Sequence, residues 1–117
     1  MNQHEKLNYI EFPSQDLAST KAFFSQAFGW TYVDYGPEYV AINTAGLDGG
    51  FYLSDKASTV ANGAMLVVFY SERLEETQAK VEAAGGVIST QIFSFPGGRR
   101  FHFTEPSGNE FAVWSDR

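Results

Sequence analysis

The chain has 117 residues, no cysteine, a formal net charge of −6 and a sequence pI near 4.7. This excludes disulfides, thiolate metal sites and cysteine nucleophiles, and it argues against nucleic acid or an anionic membrane as partner while permitting a cationic ligand. With 44% hydrophobic residues, among them 11 Phe, 6 Tyr and 2 Trp, there is material for a real core; with neither a membrane-length apolar run nor a leader visible, a soluble cytoplasmic protein is expected.

Met1–Lys6 is polar and reads as loose. Leu7–Pro13 alternates as a strand, with Ile10 and Phe12 on one face and Tyr9 and Glu11 on the other. Asp16 stands where an N-cap belongs, ahead of a helix that carries Leu17, Phe24, Ala27 and Phe28 at helical spacing and stops at Gly29. Three short strand-like pieces follow, Trp30–Asp34, Tyr39–Asn43 and Gly50–Ser54, punctuated by Gly36-Pro37, Gly46 and Gly49. Asp55–Gly63 is small, polar and loop-like.

A second round begins at Ala64. Met65–Ser71 is a continuous apolar strand, and Glu72–Ala84 is a helix with Leu74, Thr77, Val81 and Ala84 on one face, closed by Gly85-Gly86. Val87–Phe93 is another strand, and Ser94–Gly98 a Pro-Gly turn. Two last strands, Arg99–Thr104 and Asn109–Ser115, are joined by the turn Glu105-Pro106-Ser107-Gly108. Alternation puts Phe101, Phe103, Phe111 and Val113 in the core, and Arg100, His102, Thr104, Glu110, Ala112 and Trp114 on the opposite face. Lone buried charges are costly, so that second face reads as the lining of a cleft. The chain therefore reads strand, helix, three strands, twice over, with an offset of about 57 residues that maps Tyr9 onto Leu66 and Leu17 onto Leu74.

Several segments carry a resemblance to a known family. They are Ile10–Leu17 with its Asp-Leu, Ala22–Trp30 with its Phe-Phe and Phe-Gly-Trp, and the turn Glu105-Pro106-Ser107-Gly108-Asn109. Together with the repeat they cover nearly the whole chain, which resembles the vicinal oxygen chelate superfamily of glyoxalase I, extradiol dioxygenases, and fosfomycin and bleomycin resistance proteins. The resemblance implies an α+β fold of two βαβββ modules, about 7–54 and 64–115, that form a curved half-open barrel in one domain spanning 1–117. It also implies a homodimer. The fold hosts many chemistries and does not by itself define one.

In the family's metalloenzymes a divalent metal is held by His, Gln or Glu from matching strands of the two units. The resemblance carries these ligand positions onto Tyr9, seven residues before the Asp of Asp-Leu, its repeat equivalent Leu66, and Ala112, four past the Gly of the turn. Tyrosine, leucine and alanine cannot make such a site, so no cofactor is expected. A competing arrangement would hold a divalent metal with Glu11, His102 and Glu110, but strand ligands cannot slide by one residue without changing face.

The other cleft residues have two readings each. His102 is a general acid/base or ligand donor, or is held by Glu110 as a structural pair. Glu11 and Glu110 are site carboxylates, or are charge partners of Arg100. Arg100 forks onto a ligand carboxylate or phosphate, or neutralises those glutamates. Tyr9, Tyr70 and Trp114 are stacking walls for a flat or cationic ligand, or finish the core at the barrel mouth. Two functions follow. One is a glyoxalase/bleomycin-resistance-like protein that binds a small organic ligand, cationic or carbonyl-containing, without metal. The alternative is a metal-dependent lyase, isomerase or dioxygenase in which Glu11 or Glu110 takes a proton and His102 or the metal stabilises an oxyanion.

Overall fold

A computed structural model of the chain describes residues 2–117; Met1, the first residue of the segment read as loose, lies outside the described residues. The first module runs β1 (Tyr9–Ser14), α1 (Leu17–Phe28), β2 (Tyr32–Asp34), β3 (Tyr39–Ile42) and β4 (Asp48–Leu53). After a short 3-10 turn at Val60–Asn62, the second runs β5 (Val67–Tyr70), α2 (Leu74–Ala83), β6 (Val87–Phe95), β7 (Gly98–Thr104) and β8 (Glu110–Ser115). Each module makes one mixed four-stranded sheet, in the orders β1-β4-β3-β2 and β5-β8-β7-β6. The first strand of each module pairs in parallel with its last, and the other neighbours are antiparallel. The expected α+β pair of βαβββ modules is present, and its sheets are curved and not closed.

Local chemistry explains the elements. Asp16 accepts from the backbone N–H groups of Ala18 and Ser19 and so caps α1. Gly29 ends it at φ +72, with its N–H returned to Ser25 O and that of Trp30 to Phe24 O. Helix α2 lacks a side-chain cap but carries Glu75 and Glu76 in its first turn and Lys80 in its last, matching the helix dipole. The strand Met65–Ser71 is trimmed to Val67–Tyr70, because Met65 stands 85% exposed beside the turn at Gly63. The opposite correction applies to β6. It continues past Phe93, pairing Ser94 with Arg99 and Phe95 with Gly98, so that the turn shrinks to Pro96-Gly97 with Gly97 at φ +109.

One core serves both modules. Phe12, Phe51, Phe23, Phe24, Phe101, Phe103 and Phe111 are buried, and each contributes about 1.5–3 kcal/mol by leaving water. Phe24 of α1 meets Phe51 of the first sheet and Phe111 of the second, with ring centroids 5.6 and 5.4 Å away. Phe12 reaches Phe111 at 5.1 Å and Phe23 reaches Phe103 at 5.7 Å. Because strand residues alternate, the face of each sheet opposite these aromatics is turned away from the shared core.

A buried polar cluster ties the modules at one end. Ser14 Oγ, Thr20 Oγ1 and Ser107 Oγ lie within 2.8–3.1 Å of one another, and Thr20 Oγ1 also donates to Glu105 at 3.2 Å. Asn109 donates from its amide nitrogen to Pro13 O at 2.6 Å and accepts from Ser58 N at 2.8 Å. Burial holds the Glu105 carboxyl above its ordinary range despite the bonds it accepts from Thr20 and Asn109. The Glu-Pro-Ser-Gly-Asn turn is thus a structural joint between the two halves.

Candidate functional site

The first sheet's outer face presents Tyr9 and Glu11 from β1, Tyr39 from β3 and Tyr52 from β4. Tyr39 OH donates to Glu11 Oε2 at 2.8 Å, and Tyr9 OH lies 2.6 Å from Tyr39 OH. The Tyr39 ring lies across β4 at Gly50, where a Cβ would run into it; glycine here is a requirement of close approach. Desolvation, then the bonds to Tyr9 and Glu11, keep the Tyr39 phenol protonated well above its ordinary range. Every polar group in this short chain has a partner.

The second sheet's outer face is built differently. Two register shifts in β6, on either side of Thr90, place Thr90 opposite His102 and Phe93 opposite Arg100. The Arg100 guanidinium carbon lies 5.4 Å from the Phe93 ring centroid and 5.8 Å from that of Phe95. Trp114 packs near Phe95 and edge-on to Tyr70, with centroids 6.4 and 5.2 Å apart. Tyr70 OH donates to Asp116, a bond that raises the phenol's pKa and lowers that of the carboxyl. His102 Nδ1 lies 3.7 Å from Glu110 Oε2, both side chains being more than four-fifths buried, and Glu110 Oε1 accepts from Val60 N at 2.9 Å. Burial first, then the positive charge of Arg100, hold the His102 pKa below its ordinary value of 6.5, against the pull of Glu110. Arg100 Nε and His102 Nε2 are buried without a hydrogen-bond partner.

These placements sort the residues expected from the sequence. His102 and Glu110 come together, and Arg100, Tyr70 and Trp114 share their sheet face. Glu11 and Tyr9 lie on the other sheet, bonded to Tyr39 and to each other's neighbourhood rather than to Arg100. Among the described residues Arg100 has no carboxylate at ion-pair distance, so it neutralises neither glutamate; Arg99, one residue earlier and on the opposite face, pairs with Glu75 of α2 instead. Three participants escaped the sequence reading. Tyr39 lay in a correctly placed strand, but nothing in its spacing marks a partner 28 residues away. Phe93 ends the strand expected from the sequence and Phe95 falls inside the segment read as a turn, and the alternation Phe93-Ser94-Phe95 was the available signal.

Among the described residues no three His, Asp or Glu side chains gather to hold a metal ion. At the positions to which the family's ligands map, Tyr9 is engaged with Tyr39, Leu66 precedes β5, and Ala112 is fully buried opposite His102. None of the three offers a donor set for a divalent ion, so the residues present in the chain do not fit the metal. Separately, an apolar cavity of about 250 Å³ opens between β1 and β5, lined by Ile10, Phe12, Trp30, Ile42, Val67 and Phe69, and no ionisable group borders it.

Two βαβββ modules about a common core, each turning an open sheet face outward, define a paired-module α+β protein. The particular family follows from the sequence match: the model of the Glyoxalase/Bleomycin resistance protein/Dioxygenase superfamily matches residues 6–113, and the chain belongs to that superfamily. No curated protein matches the chain. Solved structures share its fold. A glyoxalase-related enzyme from Fulvimarina pelagi superposes with a TM-score of 0.79 at 17% identity, covering 95% of this chain and 88% of its own. The fosfomycin resistance protein FosX from Listeria monocytogenes superposes at 0.78 and 20% identity, covering 97% and 94%. Lactoylglutathione lyase from Agrobacterium tumefaciens superposes at 0.70 and 19% identity, covering 97% and 96%. No helix among the described residues is long and apolar enough to cross a membrane.

Proposed function

We propose that the chain binds a small organic molecule against the outer face of the β5–β8 sheet, without the divalent metal of the family's metalloenzymes. The observation that carries this is a pair of buried, unpartnered nitrogens, Arg100 Nε and His102 Nε2, beside an aromatic wall of Phe93, Phe95 and Trp114. A ligand that meets these groups repairs a hydrogen-bonding deficit that the free chain leaves open. The nature of Tyr9, Leu66 and Ala112 supports the absence of metal. A variant of FosX has been solved with manganese(II) and a dihydroxypropylphosphonic acid, which supports the small-molecule class while differing in its metal.

A homodimer belongs to the same reading. Tyr9 and Tyr52 on the first outer face, and Val68, Tyr70 and Phe93 on the second, stand between 37% and 47% exposed, large apolar side chains that a partner surface would cover. Two copies that each laid one such face on the other's would cover these residues and could bring Glu11 of one chain towards His102 of the other. Light scattering on the purified chain tests this: a dimer mass is expected, and a monomer at high concentration overturns it.

The second reading, an enzyme that moves a proton with Glu11, draws on the Tyr9–Tyr39–Glu11 hydrogen-bond chain. Metal content separates the readings. Protein purified without a histidine tag, then dialysed against nickel, zinc or manganese, is expected to retain far less than one metal per chain. One tightly held metal per chain, lost in Glu11→Gln or His102→Gln, overturns the metal-free reading in favour of a lyase, isomerase or dioxygenase.

A further inference from the structure

The second sheet's outer face carries a cation without a carboxylate partner, within a chain of net negative charge. With 14 acidic side chains against 8 basic ones, a cation has carboxylates in excess to pair with. Arg73, Arg99 and Arg117 each sit beside one, at Glu76, Glu75 and Asp116. Arg100 alone of the four arginines has none among the described residues. Its guanidinium is instead laid over Phe93 and Phe95, which fixes the fork without neutralising it. Two residues further along the same face, His102 turns Nδ1 towards Glu110 and leaves Nε2 buried without a partner. Glu110 is itself engaged, since its second oxygen accepts from Val60 N.

A fixed cation beside an imidazole nitrogen that can donate once protonated matches the geometry of an oxyanion, and the surrounding rings match an apolar body. We propose that this face takes the carboxylate or other oxyanion group of a small aromatic or apolar molecule, held by the Arg100 guanidinium and His102 Nε2. The inference rests on the reading of this face as the ligand site and names the chemical class of its ligand. It also reverses what net charge alone suggests, because the ligand meets a local cation inside an acidic protein.

A proton comes with the anion. In the free chain burial, then Arg100, favour the neutral imidazole over the charged one, against the pull of Glu110. A neutral ring with its proton on Nδ1, facing Glu110, presents only a lone pair at Nε2. An oxyanion there pairs best with the doubly protonated ring, whose Nδ1–H faces Glu110 while Nε2–H donates to the ligand, so binding favours uptake of a proton and tightens as pH falls. The charged groups facing His102 are Arg100 on its own strand and Glu110 on β8, while β6 contributes the neutral Phe93 ring.

The test follows the His102 ring by nuclear magnetic resonance in the full chain, assigned against a His4→Gln variant, since His4 is the only other histidine. Benzoate and phenylphosphonate are the anionic probes, benzamide the neutral one and benzamidine the cationic one, each at about pH 6 and about pH 8. One or both anions are expected to shift the ring saturably, more tightly at the lower pH, and which of them binds distinguishes a carboxylate from a phosphonate head. Affinity should fall about tenfold or more in Arg100→Gln and be partly restored in Arg100→Lys, with both variants checked for an unchanged melting transition. If benzamide or benzamidine shifts the ring and neither anion does, the ligand face stands and the anion assignment is overturned. If no probe shifts it, both fall. A shift that follows protein concentration and vanishes in Glu11→Gln assigns the carboxylate to a second copy and overturns the small-molecule proposal.

Discussion

The outer faces of the two sheets share a strand order and a pattern of parallel and antiparallel pairs, yet they are finished differently. On the first, Tyr9, Tyr39 and Glu11 satisfy one another in a hydroxyl–hydroxyl–carboxylate chain packed over Gly50. On the second, a cation is pinned on two rings, and two buried nitrogens are left without partners. Repetition of the module supplies the platform twice, and the side chains complete it once. The incomplete copy is where an external group has most to gain, because a buried unpaired polar group forfeits its hydration until something binds it.

Both faces depend on the same core, so the largest effect should come from breaking it. Phe24→Ala removes a fully buried ring that touches both sheets and should cost about 3–5 kcal/mol in urea unfolding while keeping one transition. Two separate transitions would mean that the modules fold independently and that the faces belong to separate bodies. Asn109→Ala comes next. It removes the bonds to Pro13 O and Ser58 N and should cost about 2–3 kcal/mol, again without touching either face directly.

The contrast itself is sharpened by a matched pair of changes. Tyr39→Phe deletes two satisfied bonds on the first face and should destabilise by about 0.5–1 kcal/mol. Arg100→Met keeps the apolar stem against Phe93 and Phe95 and removes a charge with no partner. It should be neutral or stabilising by up to about 1 kcal/mol. Equal losses for the two would mean that the second face is satisfied by contacts other than those seen.

The smallest effect is a slope. The folded-state pKa of His102 lies below its ordinary value of 6.5, chiefly through burial, so the unfolded chain binds the proton first. Stability should therefore be level above about pH 6.5 and fall as pH drops below it, and His102→Gln should flatten that part of the curve. A curve unchanged by the substitution would place the imidazole in a solvated setting.

Much of this protein was legible in its chain. Alternation separated the core residues Phe12, Phe101, Phe103 and Phe111 from the outer-face residues Tyr9, Glu11, Arg100 and His102, because a strand's period of two is a local property. Asp16 and Gly29 bounded α1 for equally local reasons, a side-chain oxygen for free N–H groups and a residue that tolerates positive φ. The repeat carried the module count and the family. Which outer-face groups meet was decided only in three dimensions. Parity puts Glu11, Arg100 and His102 on lining faces but does not say that those faces belong to two separate sheets. The register shifts that carry Phe93 over Arg100, and the close approach of Tyr39 across Gly50, depend on pairing between strands distant in sequence. Such pairing is set by the packing of the whole core, and no local spacing encodes it.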